Sequence, residues 1–267
     1  MPLNWSHTLS QEYRQCPRKL FYRKKSAGRK GNGEKRILHR WEFVGDTVHK
    51  AIEECLIQSM ERHDTESIDE MRISYRELRD IADGLMDEAL DSRELEIGSD
   101  DRELVESRLR KTVKTHLKQW HGKFKSIYKG HTIIEIEEKH DWPVEKSKVV
   151  LIIDLLTSDS EGRLWITDWK TSASKKKVVN EPQLTVYKLW AKEYHDSFDS
   201  VVCTFFYTKR GERDKVKIAD RYLDTVSARI ISEIQDWDSD KQEQFPTKPS
   251  RHCYECNWRL ECPDRFQ

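Results

Sequence analysis

Residues 149–156, Val149-Val-Leu-Ile-Ile-Asp-Leu-Leu156, form a β-branched and aliphatic run interrupted by one carboxylate, Asp154. A second strand-like run covers 164–168, after the polar segment Thr157-Ser-Asp-Ser-Glu-Gly162. Two such runs joined by a short polar turn ending in glycine predict a β-hairpin. With its centre near Glu161, Asp154 falls opposite Asp168. Side chains alternate along a strand, so Asp168 and Lys170 share a face. Like charges facing each other across a ladder destabilise it by roughly 0.2–1 kcal/mol, and a divalent cation between them reverses that sign. Acids can also sit on the rim of an ordinary hairpin, and D-x-K alone occurs by chance. The remaining positions are apolar, so the pair looks placed for a metal.

The rest of the chain supports an ordered, highly ionised protein. Of 267 residues, 36% are hydrophobic and 36% charged, with nine Trp, nine Tyr and eight Phe, a content that opposes disorder. No apolar run is long enough to span a bilayer, and the N-terminus lacks a signal-peptide core. These features predict a soluble, intracellular, cytoplasmic protein in a reducing compartment, associated with DNA if the basic arm binds it. The formal net charge of zero hides segregation. Eleven basic residues lie between Arg14 and Arg40, with Glu34 the only acid, whereas 61–106 is rich in Asp and Glu. A basic arm carrying Arg18, Lys19, Arg23, Lys24 and Lys25 suits a phosphate backbone, although a charge run is also an ordinary solvated face. The interleaved aromatics Tyr13, Phe21, Tyr22 and Trp41 fit stacking on unpaired bases or a core equally well.

Helical periodicity predicts helices over about 38–60, with Trp41, Val44, Val48, Ile52, Cys55 and Leu56 on one side, and over 75–90. A third, over 101–127, is charged enough to be expected to project into solvent. Thr8-Leu-Ser-Gln11 has capping-box form and opens a short helix toward Cys16. Residues 28–33 and Lys175-Lys-Lys177 read as basic loops, with a polar stretch ending at Asp100. Strands begin at His131. Asn180 is the expected cap of a helix with Glu181 and Pro182 in its first turn, running to Tyr194. A strand over 201–207 and a helix over 220–237 follow. The order predicts an α/β core with one mixed sheet behind a helical subdomain. The expected division is an N-terminal arm and helical region (1–130), a core (131–244) and a cysteine-rich tail (245–267). There is no G-x-x-x-x-G-K-[ST] loop, and hence no sign of an ATP-driven motor.

Of six cysteines, Cys55 and Cys203 fall on apolar faces and read as core. Cys253-Tyr-Glu-Cys256 and Cys262 form a compact ligand run, for which Cys16 is the natural fourth member. Disulfides are disfavoured in a reducing compartment. All-sulfur ligation suits zinc or an iron–sulfur cluster equally on spacing alone. Either would staple the basic arm to the C-terminus and turn metal-binding energy into folding energy.

Further residues surround the hairpin. Gly45 precedes His49 by one turn and leaves room beside the imidazole. Glu137 and Glu138 end the first strand, and Glu138, sharing a face with Ile134 and Ile136, is the expected inward acid. Gln183 and Tyr187 lie four apart on one helical face. Together, Cys16-Pro-Arg-Lys-Leu-Phe-Tyr22, Gly45-x-x-x-His49, Ile152-Ile-Asp154, Asp168-Trp-Lys170-Thr171, Gln183-x-x-x-Tyr187 and Cys253-x-x-Cys256-x5-Cys262-Pro263 resemble the RecB-like branch of the PD-(D/E)XK nuclease superfamily. The similarity is to its iron–sulfur members, among them CRISPR-associated RecB-like exonucleases, the AddB nuclease domain and eukaryotic mitochondrial exonucleases. One departure is Ile152, where the family usually has glycine two residues before the motif aspartate.

The resemblance implies a restriction-endonuclease-like fold with an iron–sulfur-stapled tail. It implies an exonuclease on single-stranded DNA or DNA ends, in repair, recombination, CRISPR adaptation or viral DNA processing. Mg²⁺ or Mn²⁺ would be held by His49, Asp154, Asp168 and the Trp169 carbonyl. Lys170, Glu138, Gln183 and Tyr187 would serve catalysis, and Cys16, Cys253, Cys256 and Cys262 a 4Fe-4S cluster. The expected partner is DNA; a protein partner or self-association is left open, and no membrane is involved. The alternative is a DNA-binding or assembly subunit whose nuclease site is gated or vestigial.

Overall fold

The structure, a computed structural model, describes residues 3–27, 40–91, 102–172, 179–239, 241–256 and 258–264. The loops expected at 28–33 and 175–177, the basic residues Arg29, Lys30, Lys35 and Arg36, the first residues of the 38–60 helix and the end of the polar stretch at Asp100 lie outside them. The elements run α1 (His7–Gln15), α2 (Pro17–Ala27), α3 (Arg40–His63), α4 (Tyr75–Asp91), α5 (Arg102–Ile127), β1 (His131–Val144), β2 (Ser147–Asp159) and β3 (Arg163–Lys170), and then α6 (Pro182–Tyr194), β4 (Ser200–Tyr207), β5 (Glu212–Lys215) and α7 (Asp220–Trp237). The strands form one mixed sheet in the order β1-β2-β3-β4-β5, flanked by helices as expected.

The β2–β3 hairpin forms in the expected register. Leu155 pairs with Thr167 and Ser158 with Leu164, and one further step aligns Asp154 with Asp168. Gly162 sits in the turn at φ 71°. From β3 the chain crosses through α6 and returns as β4, parallel to β3 over all eight residues from Arg163 to Lys170. Antiparallel β5 adds an edge that the sequence reading lacks. All four of its residues are charged, so no apolar alternation announces it. It is held partly by cations on rings, with the Arg213 guanidinium 4.3 Å from the Trp165 ring centroid and Lys215 Nζ 4.7 Å from it.

The chain divides into two compact units, one of Met1–Glu34, Lys139–Leu151 and Asp220–Gln267, the other of Lys35–Glu138 and Ile152–Ala219. This differs from the linear division at 130 and 244. In the second unit α3, α4 and α5 enclose a shared core. The expectation that α5 projects into solvent is wrong. Val105, Leu109, Val113, Leu117, Trp120 and Phe124 recur at three- and four-residue spacing and are all buried, a stripe concealed by charges on the other faces. Trp120 stacks on Phe124 at 4.5 Å and meets Trp169 of β3 edge-on at 6.2 Å. Trp169 also packs on Phe206 of β4 at 5.3 Å.

In the first unit, Trp5 adds a parallel bridge beside Val149, and its indole donates to Glu233 at 2.8 Å. Two expected caps are displaced. Ser6, not Thr8, caps α1 by accepting from Leu9 N. Glu181, not Asn180, caps α6, accepting from Leu184 N at 2.8 Å. Asn180 instead takes φ 55° and accepts from Ala219 N. Cys55 and Cys203 are buried, as expected.

Candidate metal centre

The site is assembled from the second unit. β2 brings Asp154, β3 brings Asp168 and Lys170, α3 brings His49, and β1 brings an acid. That acid is Glu137, not Glu138. The core face of β1 is the one carrying His131 and Ile133, both buried, while Ile134 is exposed. Glu137 has the parity of Ile133, and its own φ of 49° breaks the strand's regular course. Glu138 points to solvent. Strict alternation from Ile134 and Ile136 selected the wrong face.

His49, Glu137 and Asp154 place their ligand atoms within 4.8 Å of one another. His49 Nδ1 stands 3.5 Å from Glu137 Oε1 and 3.6 Å from Asp154 Oδ2, and its Nε2 is 3.1 Å from the Trp169 carbonyl. Asp154 accepts from Trp169 N at 2.6 Å. Asp168 lies outside the group of three; its Oδ2 meets Lys170 Nζ at 2.6 Å. Lys170 also reaches Gln183 Oε1 at 3.4 Å, and Gln183 donates to the Tyr187 hydroxyl at 2.8 Å. The motif residues Lys170, Gln183 and Tyr187 thus form one chain behind the acids.

Burial and mutual charge govern the ionisation of these groups. Burial and the neighbouring Asp168 push Asp154 well above the usual carboxylate range. Burial likewise raises Asp168, with Lys170 opposing. Burial alone would lower His49, but Asp154, Glu137 and Asp168 outweigh it and raise it to about 9. Burial works against the Lys170 ammonium too, but Asp168, Asp154 and Glu181 hold its pKa above the ordinary lysine value. Glu137 Oε1 is buried and makes no well-formed hydrogen bond among the described residues, its contact with His49 Nδ1 being long at 3.5 Å. A buried acceptor left open beside an imidazole and a second carboxylate fits a divalent cation. Glu181 is a further acid that sequence reading used only as a first-turn residue; burial raises it, and it lies near Asp168 and Lys170.

In the first unit, Cys16, Cys253, Cys256 and Cys262 line a single cavity of about 30 Å³. All four are partly buried. Ser250 N donates to Cys253 Sγ at 3.4 Å, and Arg18, Lys19, Lys248 and Arg259 also border the space. Lining one cavity does not bring the four sulfurs to ligand distance: among the described residues the group of His, Cys, Asp and Glu side chains close enough to hold an ion is His49, Glu137 and Asp154, and it contains no cysteine. The five basic residues expected to meet DNA have partners within this unit. Arg18 donates to the Phe245 carbonyl at 2.7 Å, Lys19 to Gln15, and Lys24 to the Trp237 and Ser239 carbonyls at 2.8 Å each. Arg23 pairs with Glu12 at 2.9 Å, and Lys25 lies over the Phe21 ring at 4.5 Å.

A mixed sheet that presents an aspartate, an aspartate-x-lysine pair and a helical histidine to one cation site has the layout of a metal-dependent nuclease. The PD-(D/E)XK nuclease superfamily model matches residues 4–263, and the chain belongs to that superfamily. Membership implies metal-dependent nuclease activity on a nucleic acid. No curated protein matches the chain. Among solved structures it is similar to "Crystal structure of SSO0001", at 17% identity and a TM-score of 0.35, over 70% of this chain and 98% of that one. No described helix is long and apolar enough to cross a membrane.

Proposed function

We propose that the protein is a Mg²⁺- or Mn²⁺-dependent deoxyribonuclease of the RecB-like kind. In this reading it is an exonuclease on single-stranded DNA or free DNA ends, working inside the cell in DNA repair, recombination, CRISPR adaptation or viral DNA processing. The observation that carries this reading is the convergence of His49, Glu137 and Asp154 on one point, with the Asp168–Lys170 pair beside it. These three side chains, with Asp168 and the Trp169 carbonyl, would hold the cation. A cation there lowers the pKa of water and offsets charge on the phosphate. Lys170, kept as an ammonium by Asp168, orients the attacking water and stabilises the added negative charge, a role better suited to a raised pKa than deprotonation is. Gln183 and Tyr187 hold the Lys170 side chain in line. Tyr187, pushed well above the ordinary phenol value by burial, stays a neutral hydroxyl.

We further propose a 4Fe-4S cluster on Cys16, Cys253, Cys256 and Cys262, which border one cavity; the family resemblance alone favours it over zinc, and binding it would draw the four sulfurs together. Its role is structural: it ties Cys16, at the α1–α2 junction, to the tail.

The test is cleavage of end-labelled and circular DNA by purified protein with Mg²⁺, Mn²⁺ or EDTA. Asp154→Ala should abolish cleavage while the protein stays folded; retained cleavage sinks the assignment. Cys256→Ala should remove bound iron and brown colour and lower the melting temperature. Stoichiometric zinc without iron in the wild-type protein refutes the cluster.

A further inference from the structure

Four aromatic residues interleave with the N-terminal charges, and the structure separates their roles. Phe21 is buried at 3% exposure. Tyr13 packs against Trp237 at 5.7 Å and donates to Asp236. Tyr22 packs on Trp258 at 5.7 Å. Trp41 alone stands 80% exposed, in the first turn of α3. It lines an open cleft of about 710 Å³ together with Gly45, His49 and Glu137.

Trp41, Gly45 and His49 follow one another at four-residue intervals on α3. They occupy roughly one side of the helix, with about 6 Å of rise between each pair. Gly45 therefore leaves a shelf between the indole and the imidazole. Glycine inside a helix costs about 1 kcal/mol relative to alanine. A Cβ there would lie 3.6 Å from Thr171 Oγ1, in ordinary contact. The shelf is thus open by composition and not because a larger residue is sterically excluded.

The cleft is also lined by Glu42, Asp46 and Glu53, against one lysine, Lys50. An acidic wall does not attract a phosphodiester. Away from the cation itself, affinity along this wall calls for an uncharged contact. A flat indole supplies one, because every nucleobase has a π-face and stacking is tolerant of sequence.

We propose that Trp41 is the stacking platform for an unpaired base of the DNA strand entering the metal centre. It is a positioning residue that favours single-stranded or frayed substrate. The inference rests on the nuclease reading above. A base paired within a duplex already stacks on its neighbours and gains nothing from the indole.

The test is fluorescence-anisotropy binding, in EDTA, of a labelled oligothymidylate and of an abasic oligonucleotide of the same length. Wild type, Trp41→Ala and Trp41→Phe are compared, with circular dichroism to confirm folding. Trp41→Ala should weaken oligothymidylate binding about 5- to 100-fold, Trp41→Phe should recover most of it, and abasic binding should be the same in all three. Equal binding of oligothymidylate by wild type and Trp41→Ala overturns the platform and points to a protein-docking indole. Equal loss on both oligonucleotides also overturns it, in favour of a structural role. Failure of the wild type to cleave any DNA with Mg²⁺ or Mn²⁺ would instead defeat the nuclease reading, so the two failures are distinguishable.

Discussion

Glu137 and Glu138 are adjacent in sequence, and only one faces His49, so exchanging each for glutamine tests the site's geometry directly. Glu137 Oε1 lies 3.5 Å from His49 Nδ1, and its side chain is 15% exposed. At an effective dielectric of about 20, a unit charge acting on another about 4 Å away is worth about 4 kcal/mol. Water in the open cleft and the amide oxygen of glutamine recover much of this for a bound cation, leaving about 1–3 kcal/mol. Glu137→Gln should therefore raise the Mn²⁺ concentration for half-maximal cleavage roughly 10- to 100-fold. A second readout is thermal. Wild type at about 100 times the metal Kd gains about 2.7 kcal/mol, a rise of about 5–10 °C in Tm for a chain near this size. The same Mn²⁺ concentration should shift Glu137→Gln by only about a sixth to a half of that. Glu138→Gln, at an exposed position, should match wild type in both assays within about 0.5 kcal/mol. A Glu138→Gln protein with the impaired metal response, beside a normal Glu137→Gln, would refute the placement of β1.

Two buried histidines set the acid limit of the fold. His116 bonds Thr208 Oγ1 at 2.8 Å, and His131 bonds Thr157 Oγ1 at 2.9 Å. Burial lowers both to about 4, helped by Lys209 at His116 and by Arg213 at His131. The unfolded chain takes up these protons near pH 6.5 and the folded chain only near 4. Stability is therefore full above about 6.5 and is lost as pH falls toward 4, by up to about 3 kcal/mol for each histidine. Asp154 and Asp168, with raised pKa values, work in the opposite direction, so the informative quantity is a difference. Urea unfolding between pH 7 and 4 should show a shallower loss for His116→Gln than for wild type, and identical slopes would remove His116 from the account. Separately, Gly211 turns β4 into β5 at φ 63°, where an added Cβ would meet Gln119 O at 2.8 Å and Lys123 Cγ at 2.6 Å. Gly211→Ala should cost about 2–4 kcal/mol from left-handed strain and crowding against backbone. A melting temperature within a degree or so of wild type would contradict the packing of this turn on α5.

The hairpin was legible because its signal is local. Apolar runs, a polar turn and Gly162 are enough to set Asp154 against Asp168, and α7 likewise spans the expected 220–237. Other features depend on information that one segment does not carry. Ser6 and Thr8, or Asn180 and Glu181, are all chemically able to cap, and backbone angles decide between them. Ile134 and Ile136 looked like the core-facing pair, but buried His131 and Ile133 set the core parity of β1, and Glu137 shares it. The stripe of α5 was present in the spacing of Val105 to Phe124 but was outweighed by its charges. Arg18 and Lys24 of α2 donate to the carbonyls of Phe245, Trp237 and Ser239, more than two hundred residues away, which the local sequence does not announce.

Buried carboxylates are a poor way to stabilise a protein, because desolvation opposes their charge. Asp154 and Asp168 are 7% and 3% exposed, and Lys170 and His49 offset them only in part. What holds this arrangement is the opposite face of the same strand. Between Asp168 and Lys170, the Trp169 side chain is driven into Trp120, Phe124 and Phe206. Its amide at the same time pins Asp154, and its carbonyl meets His49. A single residue thus couples the aromatic core under α5 to two groups of the candidate metal centre, Asp154 and His49. The energy that fixes the site comes from apolar burial behind the sheet, and it offsets the desolvation cost of the acids in front.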